Sequence, residues 1–195
     1  MKWKNKGVLL LAGFLLFFPG RAEALWVHLN EAQRGEAMYY GARNINADPR
    51  AFFKEWTFDK GEKGVVILNS EFLTLASAAR DAAQSGEEMD SNAIEDALAK
   101  AQGKLVFTVY LYGKEKDFAK DFIALIKAGG KTFPATYFEE GETTPSESHP
   151  GMFVQELFYY FPVGEISPEA PIVLEIGDPK KKEKLQFEID LKKVK

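Results

Sequence analysis

The sequence predicts an α+β protein: N-terminal helices followed by an antiparallel β-sandwich. Three observations lead there. Apolar residues follow helical spacing in the first half of the chain. From Leu105 the hydrophobic period shortens from roughly 3.6 to roughly 2. The closing stretch then alternates strictly, with Leu185, Phe187, Ile189 and Leu191 set against Gln186, Glu188, Asp190 and Lys192.

The first 24 residues read as a cleavable signal peptide. Lys2, Lys4 and Lys6 are followed by an apolar run over Val8–Phe18, a Pro19-Gly20 break and the small residues of Ala22-Glu23-Ala24. That run has 11 residues, and a membrane span needs roughly 20. No later run approaches that length. Cleavage after Ala24 leaves a single mature α+β domain over 25–195, with a mainly helical part over 25–103 and a sandwich part over 104–195. The expected location is periplasmic or secreted.

Asn30 to Arg43 reads as a helix. Asp48-Pro49 starts a short helix over Arg50–Glu55, since proline suits a first turn. Val65 to Leu68 reads as a buried strand. Asn69 or Ser70 caps a helix from Glu71 to about Gln84, and Gly86 stops it. Asn92 and Glu95 have capping-box spacing for a helix over about Ala93–Ala101.

Leu105 to Tyr112 is β-branched and aromatic between two glycines. Asp117 to Ala128 fits a helix or a strand. The strand is preferred, because Gly129-Gly130 then turns it into a hairpin with Lys131–Phe133. Glu139 to Gly151 reads as a polar loop. Met152 to Phe161, Ile172 to Ile176 and the final alternating stretch complete the strands. Over Leu105–Lys195 this pattern resembles small immunoglobulin-like accessory domains of exported bacterial proteins. The resemblance implies an immunoglobulin-like sandwich.

The chain has no cysteine, which excludes disulfides, thiol catalysis and Cys-ligated metals. Its 25 basic and 29 acidic residues give a net charge of −4. Removing residues 1–24 takes four basic residues and one acidic one, so the excess grows to −7. Such a surface repels phosphate backbones, and no nucleic-acid partner is expected. No cofactor or phosphate-cradling motif is present. Gly129-Gly130-Lys131-Thr132 lacks the upstream glycine of a P-loop.

The two histidines, His28 and His149, read as structural and as loop-solvated respectively. A cleft bringing either one onto a hydroxyl or an acid would overturn a non-catalytic reading. Glu139, Glu140 and Glu142 are the candidate metal ligands, since calcium takes several oxygens from one loop. Their spacing does not match an EF-hand. Aromatic residues are the remaining signal. Phe158-Tyr159-Tyr160-Phe161 puts rings on both faces of one strand. One face fills the core, and the helices cover the other or leave it as a binding surface. Trp56, Tyr159 and Tyr160 are the candidate ligand-binding residues. The expected function is non-enzymatic binding, or an accessory role in the cell envelope, with an envelope protein, peptide, lipid or glycan as partner. The alternative is a periplasmic hydrolase or glycan-acting enzyme that uses carboxylates.

Overall fold

The helices begin and end where local capping chemistry says they should. In the computed structural model, which describes residues 28–194, helix α1 spans Glu31–Arg43. Asn30 accepts from the Gln33 backbone N–H at 3.0 Å, and the Gln33 side chain accepts in return from the Asn30 N–H at 2.9 Å. Helix α2 is a single turn, Pro49–Phe52, capped by Asp48. A 3-10 turn over Lys54–Trp56 follows, in place of a continuous helix to Glu55. Helix α3 spans Glu71–Ser85, with Ser70 rather than Asn69 as its cap. Gly86 closes it at a φ of 72°, in the left-handed region that suits glycine.

Helix α4 spans Ser91–Ala101 and corrects the expected capping box. Asp90, not Asn92, accepts from the first turn, through Ala93 N–H at 2.8 Å. Glu95 instead pairs with Arg34 on α1 at 2.6 Å. Helices α1 and α3 touch at Gly41, where a Cβ would lie 2.1 Å from the Ala76 carbonyl oxygen.

Among the described residues, nine strands form two antiparallel sheets. The five-stranded sheet has the order β1 (Thr57–Asp59), β2 (Gly64–Asn69), β3 (Lys104–Gly113), β7 (Phe153–Pro162), β6 (Tyr137–Pro145). The four-stranded sheet has the order β5 (Lys131–Pro134), β4 (Ile123–Ala128), β8 (Pro171–Gly177), β9 (Leu185–Asp190). The α+β class is therefore observed, with the two sheets arranged like a sandwich. The preferred strand and its Gly129-Gly130 hairpin are observed as β4 and β5, while Asp117–Asp121 forms turns.

Several expectations change. Strand β1 gave no sequence signal at three residues. Strands β1 and β2 join β3, so the five-stranded sheet crosses the 103/104 division between helical and sandwich parts. Strand β2 is buried on alternate residues rather than throughout. The predicted loop from Glu139 is strand β6 as far as Pro145. Pairing with β7 supplies its backbone hydrogen bonds, with a bulge between Glu140 and Thr143. It is an edge strand exposed on both faces, so it has no hydrophobic alternation to read. The predicted signal peptide lies outside the described residues.

The core joins both sheets and the helices. Val66, Leu68, Leu105, Phe107, Val109, Leu157 and Phe161 meet Ile126, Leu174, Ile176, Phe187 and Ile189, all buried. Burying each such side chain contributes roughly 1.5–3 kcal/mol.

Candidate functional site

Strand register settles which side chains share the outer face of the five-stranded sheet. In antiparallel pairs, direct partners lie on the same face. One row runs Thr57, Ile67, Thr108, Phe158, Glu139. The row beside it runs Asp59, Val65, Tyr110, Glu156, and the row on the other side runs Asn69, Val106, Tyr160, Tyr137. Tyr112 lies one step further along β3, opposite Val154. This face points away from the shared core, yet it is rich in rings and branched side chains.

Helices α3 and α4 stand over one end of the face. They leave a pocket of about 310 Å³ between Thr74, Ser77, Asp81 and Lys100 above and Thr108 and Tyr160 below. The other end is an open groove of about 720 Å³. Its floor is Val65, Ile67, Tyr110 and Tyr112. One wall is Pro49, Arg50, Phe53 and Lys54, and Ser148 and His149 line it as well.

Local sequence builds both walls. Asp48 caps α2 through Arg50 N–H at 2.8 Å, and Pro49 sets its first turn. Phe52 then points into the core, while half-buried Phe53 reaches the groove and meets Phe52 edge-on at 4.9 Å. Thr57 Oγ1 donates to the Phe53 carbonyl at 2.8 Å and ties this wall to β1. On the other side, Ser146 Oγ accepts from His149 N–H at 3.0 Å, and Gly151, at a φ of 83°, completes the turn. The His149 ring lies 4.2 Å from the Tyr112 ring, tilted by 47°. His149 is thus half-buried on an aromatic floor, not a solvated loop residue.

The sequence candidates separate. Trp56 is fully buried, stacked on Phe72 at 5.9 Å with Tyr40 edge-on at 5.7 Å. Tyr159 faces the core and donates to the Phe122 carbonyl at 3.2 Å. Both hold the core together and do not face solvent. Tyr160 does reach the outer face. It lines the smaller pocket, 5.3 Å from the Tyr137 ring, with Lys104 Nζ 5.9 Å above it. Glu139 and Glu140 point to opposite faces of β6, and Glu142 sits beside the bulge. Among the described residues no group of three carboxylates or histidines converges as a metal site would require.

Tyr110 on the groove floor and Tyr160 in the smaller pocket are both held toward their protonated form. Burial, then the hydrogen bond to Glu156, pushes Tyr110 above the ordinary tyrosine range. Burial, then the Glu139 charge, raises Tyr160 as well.

Both histidines have polar neighbours. His28 Nδ1 lies 3.3 Å from buried Glu71, whose other carboxylate oxygen accepts from Leu29 N–H at 3.0 Å. His149 Nδ1 lies 2.9 Å from Ser148 Oγ, in the groove wall. The arrangement named above as able to overturn a non-catalytic reading is therefore present as a contact. It is not a triad. Among the described residues no acid pairs with His149, and Ser148 is exposed. Arg50, Lys54, Tyr110 and Tyr112 were not singled out from sequence, and His149 was read as a solvated loop residue, because their meeting depends on strand pairing and on two distant loops.

No family model matches the chain, and no curated protein matches it. Among solved structures, a protein of unknown function from Burkholderia pseudomallei K96243 is similar, with 14% identity and a TM-score of 0.47. The match covers 80% of this chain and 89% of that one.

Proposed function

We propose that the protein is an exported, non-enzymatic binding module of the cell envelope and that its ligand sits in the groove floored by Tyr110 and Tyr112. One observation carries this reading. The outer face of the five-stranded sheet carries rings and branched side chains that a solvated face does not need, and the end beside α2 is left as an open groove. Ligand sites are typically concave and mostly apolar, with a few placed polar groups. Export is supported by the basic, apolar and small-residue segments of residues 1–24. Two antiparallel sheets of short strands support an immunoglobulin-like identity for the sandwich.

Amide-shift mapping tests the binding reading with three titrants: soluble peptidoglycan fragments, phospholipid micelles and an extended peptide. One of them should move the amides of β2, β3 and residues 146–149. Shifts confined to the four-stranded sheet, or none from any titrant, would remove the groove as the site.

The contact between Ser148 and His149 favours a second reading, hydrolysis. Turnover of p-nitrophenyl acetate that disappears in Ser148→Ala would establish it in place of binding alone.

A further inference from the structure

The charge of the groove runs against the charge of the chain. The protein is acidic overall, at −4, yet Arg50 and Lys54 both line the groove. Neither has an ion-pair partner among the described residues. One acid, Asp59, lines the groove, and its Oδ1 already accepts from Gly61 N–H at 2.7 Å. Glu156 lies on the same face as Tyr110 and is bonded to that phenol. A concave, low-dielectric floor with cations on its wall concentrates anions.

We infer that the groove takes an amphipathic anion: a flat apolar or aromatic body with one acidic group. The body lies on Tyr110 and Tyr112 against Phe53, and the acidic group meets Arg50 and Lys54. Arginine suits a planar or tetrahedral oxyanion because its guanidinium presents parallel donors, and lysine adds a point charge. This inference rests on the binding reading above and narrows it to a ligand class.

Two fluorescent probes that differ by one group separate the two claims. The anionic probe is 8-anilino-1-naphthalenesulfonate. The neutral probe is N-phenyl-1-naphthylamine, the same body without the sulfonate. The folded full chain should bind the anionic probe about tenfold more tightly, roughly 1.4 kcal/mol. Arg50→Gln with Lys54→Gln, at two exposed positions, should abolish that preference and leave neutral-probe binding intact. Tyr112→Ala should weaken both probes. His149→Ala gives the same readout from the wall without altering the sheet. Near-ultraviolet circular dichroism checks that each variant keeps its packing. Equal binding of the two probes, or a preference that survives the double variant, overturns the anion class while the groove stands. Probe binding insensitive to both Tyr112→Ala and His149→Ala overturns the groove itself.

Discussion

The two sheets share a core but present opposite outer faces. On the four-stranded sheet the outer face carries no aromatic ring among the described residues: Ile123, Leu125 and Val173 stand there beside Lys127, Glu175 and Gln186. Lys127 Nζ lies 2.7 Å from Glu175, and Gln186 donates to the same carboxylate at 2.8 Å. On the five-stranded sheet the corresponding positions are Ile67, Tyr110, Tyr112, Phe158 and Tyr160, covered by helices at one end and open at the other. An outer face needs no aromatic rings to keep a sandwich folded, as the four-stranded sheet demonstrates. Where the five-stranded sheet carries rings beyond what its helices cover, they form the open patch on which the proposed binding role rests.

The largest expected effect would break what the two sheets share. Phe107 is fully buried, edge-on to Phe161 at 5.7 Å. Phe107→Ala should cost about 3–5 kcal/mol, and chemical denaturation should show both sheets unfolding together. Separate transitions would mean that the sheets are independent.

A smaller effect should touch only the helical cover of the five-stranded sheet. Gly41→Ala drives a methyl into the Ala76 carbonyl and should cost about 1–3 kcal/mol. Hydrogen exchange should rise in α1 and α3 before β8 and β9. Uniform loss of protection would deny that the cover is a separate layer.

The smallest effect belongs to the outer face of the four-stranded sheet. Hydrogen bonds from Lys127, then Gln186, lower the Glu175 pKa below its ordinary value. A lowered carboxylate adds stability above its unfolded pKa, roughly 4.3, and loses it as pH falls through the folded value. Glu175→Gln should therefore flatten the acid limb of the stability curve below about pH 4. An unchanged acid limb would show that the pair contributes nothing there.

Particular residues show how far sequence reading reaches. Asn30, the Asn69-Ser70 pair and Gly86 marked helix ends because capping acts within one turn. The alternation of Leu185 to Leu191 marked β9 because one of its faces is buried. Strand β6 was missed because neither face is buried, and β1 because three residues have no period. In the site, Tyr160 was legible as an aromatic on a two-faced strand. Alternation alone could not say that Tyr159 faces the core and Tyr160 the outer surface.

By itself, then, the chain specified most of its helix termini, most of its strands and the presence of surplus aromatics, all set by interactions a few residues apart. Tertiary structure alone decided which face of β3 and β7 became interior. It also brought Arg50 and Lys54 to a floor some 60 residues away in sequence and laid His149 on Tyr112. Those outcomes depend on long-range strand pairing and on which surfaces the helices cover, and no local pattern encodes either.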